Sequence, residues 1–358
     1  MNPQPDDCWN PKQMTNTDFS QAISLIESAR RILITTHIRP DGDAVGSIAA
    51  LKTIIEQAAG QKQNDCVVQL LLLSEPSDNY MFLLPDETWF LGEHITQEQI
   101  NAGQLARFDL IIIADTCAAR QLQGLSNYLT QRTKNARETD ASILVIDHHL
   151  SGDAIGNCQL VDTDACAAGE IIYRLCRRAD WPLNESAASA LLAAIGTDTG
   201  WFQFENSSAQ AFKIAGELLE AGAKADRIYQ KLYQNDPPEK LQLLAMTLQT
   251  LELYCDGRLA VMQITREMLA KSRAKRSHIE NIVNEPQNIA SVIAVILLVA
   301  QDDGSTRGSL RSKEKVDVNM VARQFGGGGH ARAAGLTIQD PLPIARKRII
   351  DAMIAAMS

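Results

Sequence analysis

The residues best equipped for chemistry in this 358-residue chain are aspartates and histidines gathered in four short segments. These are His37-Ile-Arg-Pro-Asp41-Gly-Asp43, Asp115, Asp147-His148-His149, and Asp198 within Gly196-Thr-Asp198-Thr-Gly200. Taken singly, each has a plain reading. An aspartate after a strand caps the next helix, and Asp41-Gly-Asp43 makes a turn. The joint pattern points further. Carboxylates crowded into one place repel, so either one stays protonated or a cation sits among them. Imidazole and carboxylate without thiolate suit an octahedral, Mn²⁺-like ion better than structural zinc. Two ions with one bridging carboxylate match the number of donors, and ions about 3.5–4 Å apart are a standard device for phosphoryl hydrolysis. They would also let an acidic site accept an anionic substrate.

The elements that must position these residues are legible beside them. Short runs rich in Ile, Leu and Val cover residues 32–36, 66–73, 110–114 and 143–146, without helical periodicity. Such runs predict strands buried on both faces. Helical stretches are predicted at 45–59, 165–179 and 185–196. The alternation predicts an α/β domain, doubly wound around a mostly parallel sheet. In that architecture the C-terminal strand ends line one crevice, so distant segments deliver their Asp and His to one place. Trp201 and Phe202, which follow Asp198, are expected chiefly to pack in the core, with a place beneath the crevice as the other reading.

Gln234-Asn-Asp-Pro-Pro238 breaks the pattern. Leu241, Leu244, Leu248 and Leu251 then predict one helix over 239–254, followed by a turn at Asp256-Gly257 and strands at 259–265, 293–299 and 306–311. The expected layout is a disordered tail at 1–16, a catalytic domain at 17–235, a connector helix within 236–257, and a smaller α/β domain at 258–358 that closes with a helix at 343–357.

In that smaller domain Arg307, Ser309 and Arg311 alternate along a strand and so share a face, a placement suited to phosphate. A solvated, protected sheet edge is the other reading. Gly326, Gly327, Gly328 and Gly329 lead into His330 and Arg332. They form either a linker or a loop whose backbone N–H groups approach a phosphate. Lys271-Ser-Arg273-Ala-Lys275-Arg276 reads as a solvated helix end, and His94 and His278 belong to no motif.

Composition bounds the rest. Net charge is −9 and aromatic content 5%, but the charge is divided: −15 over residues 1–257 and +6 over 258–358. The acidic total argues against non-specific grip on long polymers. The longest apolar run, 289–300, falls short of the ~20 residues a bilayer requires. The first 30 residues lack the design of a secretory signal. The cysteines form no CxxC pair, which fits reduced thiols in a cytoplasmic compartment.

With these motifs in view, the chain resembles the DHH phosphoesterase superfamily. The segment from Thr36 to Ser47, Asp115, Asp147-His148-His149 and Thr197-Asp198-Thr-Gly200 carry the resemblance. Arg307 to Lys313, Val316 to Asn319 and Gly326 to Gly335 resemble the family's DHHA1 substrate-binding domain. The nearest subfamily is the NrnA-type nanoRNases, which also act as pAp phosphatases. The resemblance implies a first ion on His37, Asp41 and Asp115, and a second on Asp43, Asp115, His148 and Asp198. His149 would contact the scissile phosphate and Asp147 would orient the histidine pair. Arg307, Ser309, Arg311, the glycines 326–329, His330 and Arg332 would bind substrate. Mn²⁺ is the expected metal, with Mg²⁺ and Co²⁺ as alternatives. Ile38-Arg39 departs from the family's usual small or polar residue then Asn, which leaves the role of Arg39 open.

The implied function is hydrolysis of short 5′-phosphorylated oligoribonucleotides to mononucleotides, of the 3′-phosphate of pAp, or of both. A phosphodiesterase for linear or cyclic dinucleotides is the alternative within enzymes. A processive single-strand exonuclease would need an added barrel for which no length remains. A nucleotide sensor without chemistry is the alternative outside enzymes, and the complete donor set argues against it. Monomer and homodimer are both open.

Overall fold

The computed structural model describes residues 16–63, 65–134, 142–149, 152–153, 155–156, 158–313 and 316–357. The expected tail lies outside the described residues, except Asn16, which begins the first helix. The chain divides into two compact units, Met1–Asn235 and Asp236–Ser358.

In chain order the first unit contains α1 (Asn16–Ser28), β1 (Arg31–Thr35), α2 (Gly42–Gln61), β2 (Val67–Leu72), β3 (Trp89–Phe90), α3 (Gln97–Asn101) and β4 (Leu110–Ala114). Then follow α4 (Ser126–Lys134), β5 (Ser142–Asp147), β6 (Cys158–Val161), α5 (Ala168–Arg178), α6 (Glu185–Asp198), α7 (Ala209–Glu220) and α8 (Ala225–Tyr233). The six strands lie in the order β3-β2-β1-β4-β5-β6, and every pairing is parallel.

The doubly wound expectation is met by alternation along the strands. Ile32, Ile34, Ile112, Leu144 and Ile146 face one apolar layer, with Ile48, Leu51 and Ile54 of α2 and Leu191 and Ile195 of α6. Leu33, Ile111, Ile113, Ile143 and Val145 face the other, with Ile100, Leu105, Leu122 and Leu125. Both faces are covered, which is why Ile, Leu and Val dominate these runs. The chain reverses its direction of winding between β1 and β4, and the strand ends there open a crevice.

The second unit contains α9 (Pro238–Leu248), β7 (Glu252–Tyr254), β8 (Leu259–Ile264), α10 (Arg266–Ser272), β9 (Ala294–Ala300) and β10 (Thr306–Ser312). It ends with α11 (Val318–Arg323), β11 (Gly328–His330), β12 (Ala333–Ile338) and α12 (Leu342–Met357). Its sheet is mixed, in the order β11-β12-β10-β9-β8-β7, with β8–β9 its parallel pair.

Two expectations change here. The helix over 239–254 stops at Leu248. Thr250 Oγ1 donates to the carbonyls of Thr247 (2.7 Å) and Gln263 (3.2 Å) and accepts from the N–H of Gln263 (3.0 Å). That knot turns the chain into β7, which pairs antiparallel with β8. Leu243 is buried with Ala260, Met262 and Val295, so α9 packs on the second sheet. The glycine tract is also more than a loop, because Gly328 and Gly329 form an edge strand on β12. Gly327 lies so close to Leu336 that a Cβ there would sit 2.6 Å from the Leu336 Cβ. Among the described residues no helix is long and apolar enough to cross a membrane.

Candidate metal centre

Strands β1, β4 and β5 are neighbours, and each releases a titratable group at its C-terminal end. His37 follows β1; its Nδ1 lies 2.9 Å from the Ile38 carbonyl, which turns Nε2 inward to 3.4 Å from Asp115 Oδ2. Asp115 follows β4 in the left-handed region, φ +61°, which Asp tolerates better than most residues. Its N–H donates to the Ile146 carbonyl at 2.9 Å, so the carboxylate is fixed by the sheet. Asp147 ends β5 and is fully buried. Its Oδ1 accepts from the N–H of His148 (2.8 Å) and His149 (3.3 Å) and pairs with His149 Nδ1 at 2.7 Å. One buried carboxylate thus holds the backbone of both histidines and the ring of His149, while the His148 ring is steadied instead by the Ala165 carbonyl, 3.3 Å from Nδ1.

Asp41 serves two readings at once. Its Oδ1 caps α2 by accepting from the N–H of Ala44 at 3.1 Å, and it stands with His37 and Asp115 in a group whose donor atoms lie within 4.8 Å of one another. Asp43 is held by Ser47 Oγ (2.9 Å) and by the N–H groups of Ala168 (2.6 Å) and Gly169 (3.0 Å) at the start of α5. Asp198 is the last residue of α6, and Asn206 Nδ2 donates to its carbonyl (3.1 Å) and to Oδ2 (3.3 Å).

What brings Asp198 to Asp43 is a close crossing of α2 and α6. Gly46 faces Ala190 and Ala194; a Cβ there would meet the Ala190 carbonyl at 2.5 Å. Gly42 is likewise closed off by Thr197. Asp43, His148 and Asp198 form a second group, and Asp115, His148 and His149 a third. His148 Nε2 lies 3.4 Å from Asp115 Oδ1, 3.7 Å from Asp43 Oδ2 and 3.9 Å from Asp198 Oδ2.

Without a cation, protons hold this cluster together. Burial alone would lower the His37 and His148 pKa values, but hydrogen bonds and charge from Asp115 raise them to about 9 and about 10. Burial would raise Asp115; the same two imidazoles outweigh it and hold it below the usual carboxylate range. Burial and the neighbouring Asp115 charge push Asp43 up and Asp198 to about 6. His149 is raised chiefly by its hydrogen bond to Asp147.

The donor set fits divalent ions on two further grounds. It is hard oxygen and imidazole without thiolate. Asp115 Oδ1 is buried and makes no well-aligned hydrogen bond among the described residues, its His148 Nε2 neighbour standing at 3.4 Å; once that imidazole gives up its proton to act as a ligand, the oxygen needs another positive partner.

All eight aspartates and histidines singled out in the first unit therefore meet at one place. The sequence did not point to Ser47, the Ala168–Gly169 backbone or Asn206. Each acts across a fold contact, and only the "Asp43-x-x-x-Ser47" helical spacing offered any signal.

The other expected residues lie in the second unit. Arg307, Ser309 and Arg311 share one face of β10, between the buried Gly308, Leu310 and Ser312. Their partners on that face are Val299, Leu297 and Val295 of β9 and Thr337, Gly335 and Ala333 of β12. The β9 side is buried by α9 and its neighbours, whereas Thr337 and Gly335 are exposed. The Arg311 guanidinium donates to the Leu310 carbonyl, and burial lowers its pKa. His330 and Arg332 are exposed, and Arg332 donates to the Lys313 carbonyl at 2.8 Å.

Comparison with known proteins adds the following. Residues 31–195 match the model of the DHH family, N-terminal domain, and residues 256–358 match that of the DHHA1 domain. A bifunctional oligoribonuclease and PAP phosphatase NrnA of Bacillus subtilis is 29% identical over 325 residues, covering 90% of this chain and 93% of its own. A probable enzyme of the same name from Streptococcus mutans is 28% identical over 319 residues, covering 89% and 93%. The crystal structure of an exopolyphosphatase-related protein from Bacteroides fragilis has the same fold, with a TM-score of 0.86, 24% identity, and 96% and 97% of the two chains covered.

Proposed function

A chain in which a DHH N-terminal domain is followed by a DHHA1 domain belongs to the DHH–DHHA1 family, and on that premise we propose a two-metal phosphoesterase that cleaves short oligoribonucleotides and removes the 3′-phosphate of pAp. The protein is a hydrolase; the names of its relatives in Bacillus subtilis and Streptococcus mutans support the substrate class. The observation that carries the reading is the pair of donor groups joined through Asp115 and His148.

His37, Asp41 and Asp115 would hold one ion, and Asp43, Asp115, His148 and Asp198 the other, with Mn²⁺ as the proposed metal. Such ions activate water at neutral pH and neutralise phosphate oxygens. The chain's own residues do the rest. Asp147 fixes His149 through Nδ1, so Nε2 points away from the carboxylate as a proton donor. The hydrogen bond to Asp147 raises the His149 pKa, the direction that protonation of a leaving oxygen needs. In the second unit Arg307, Ser309, Arg311, Gly326, Gly327, Gly328, Gly329, His330 and Arg332 are the proposed phosphate and terminal-nucleotide contacts. Arg311 has no carboxylate partner among the ion pairs of the described residues and suits an anion brought by the substrate.

The test is turnover of a labelled 5′-phosphorylated dinucleotide and of pAp with Mn²⁺. Wild type is expected to release mononucleotide, and Asp115→Ala to be inactive with an unchanged far-UV spectrum. Binding of both compounds without turnover by wild type would instead leave a sensor.

A further inference from the structure

The turn that follows Asp198 is built in an unusual way. Gly200, Trp201 and Phe202 have φ values of +56°, +56° and +64°. Left-handed backbone suits glycine but strains bulky aromatic residues. The strain is held by hydrogen bonds. The N–H of Trp201 donates to the Gly196 carbonyl (2.5 Å), those of Gln203 and Phe204 to the Thr199 carbonyl (2.9 and 3.0 Å), and that of Phe202 to Thr199 Oγ1 (3.1 Å).

The aromatic rings on this turn have different surroundings. Trp201 packs on Tyr229 and Tyr233 of α8, with centroids 5.3 and 6.0 Å away. Phe202 packs on Phe212 of α7 at 4.9 Å. Both are partly buried against the core. Phe204 is 61% exposed and stacks on no other ring among the described residues. Its ring lies on the bare Cα of Gly200, where any Cβ would collide with it.

A single exposed phenylalanine needs no explanation by itself. This one is coupled to the metal centre. Asn206, two residues on, donates to Asp198 Oδ2 at 3.3 Å and to the Cys166 carbonyl at 2.9 Å. Two residues of extended chain span roughly 7 Å, so the rigid Phe204 backbone stands within about a nucleotide's length of a proposed metal ligand.

We infer that Phe204 is the stacking surface for one nucleobase of the substrate. The strained turn presents its open ring face beside the phosphate that is cleaved. The inference rests on the proposed nucleotide hydrolysis and deepens it: the first unit would select a base as well as a phosphate. Every base has a π-face, so stacking tolerates sequence while rejecting base-free phosphate esters.

The test uses the full chain with Mn²⁺, a 5′-phosphorylated diadenosine dinucleotide, and its two analogues that each lack one base. Phe204→Ala is expected to raise KM for the dinucleotide about tenfold at nearly constant kcat, the size of one stacked base. On one analogue, wild type and variant should then share a KM. Phe204→Trp should keep the low value. An unchanged KM for Phe204→Ala, or equal losses on both analogues, overturns the inference. So does a KM change that tracks conversion of a sedimenting dimer to monomer, since the ring would then serve a second copy of the chain. Wild type that neither binds nor cleaves the dinucleotide sinks the proposed function and this inference together. An active wild type with an indifferent Phe204→Ala sinks the inference alone.

Discussion

Asp115 stands between two imidazoles, 3.4 Å from His37 Nε2 and 3.4 Å from His148 Nε2. With pKa values of about 9 and about 10, both histidines carry protons near neutrality when no cation is present. A ligand imidazole must be neutral, so metal loading displaces those protons. Calorimetry at pH 7.5 in buffers of different ionisation enthalpy should therefore report net proton release on Mn²⁺ binding, and affinity should climb with pH. The sign for stability runs the other way. Histidines raised from 6.5 in the folded state stabilise the metal-free protein most below pH 6.5, and that contribution is lost as pH rises through 9 to 10. Thermal melts of metal-free protein should fall over that interval. Asp147 bears on the same residues from behind. Asp147→Asn should lower turnover by about 10–100-fold, the scale of losing a buried carboxylate behind a site histidine, because it holds the His149 ring and the backbone of both histidines. Its acidic-to-neutral pH profile should also shift, because His149 loses the carboxylate that raises its pKa.

At the level of elements, the α2–α6 crossing decides whether the centre closes. Gly46 leaves no room against Ala190 and Ala194. Gly46→Val should destabilise the protein by about 1–3 kcal/mol, as overpacking does, and weaken Mn²⁺ binding by moving Asp198; urea melts and metal titration measure the two effects. The same crossing shows how far the sequence could be read. Strands with both faces buried declare themselves as unbroken apolar runs, and an Asp or His just past each one marks a strand end in the crevice. Those are local signals, so His37, Asp41, Asp43, Asp115 and Asp147 to His149 were visible as a set. Asp43 accepting from Ala168 and Gly169 is a contact between residues 125 and 126 positions apart, and nothing in either segment announces the other. Asn206 was hidden for the same reason. The over-long helix at 239–254 failed differently. Leucines at helical spacing continue to Leu251, while Thr250 ends the helix through a partner, Gln263, that only the folded sheet supplies.

For the whole molecule, the charge division now has an address in each unit. Five of the acidic residues of the first part, Asp41, Asp43, Asp115, Asp147 and Asp198, are in or directly behind the proposed centre. The basic second part carries Arg307 and Arg311 on the open half of one sheet face. Arg311→Ala should raise KM for the dinucleotide with kcat nearly kept; a lower kcat at unchanged KM would remove it from substrate binding. The four segments that would hold metal span His37 to Asp198, over half the first unit, and the bonds that steady them reach to Asn206. A growing chain adds roughly 5–20 residues per second, so the ligands of one centre leave the ribosome over about 8–30 s. Until α6 has formed, Asp43 and Asp115 are partners without their fourth segment. In a two-metal centre of this kind the choice of ion would thereby be deferred to the finished unit, where geometry, and not the first cation encountered during synthesis, would set which metal stays.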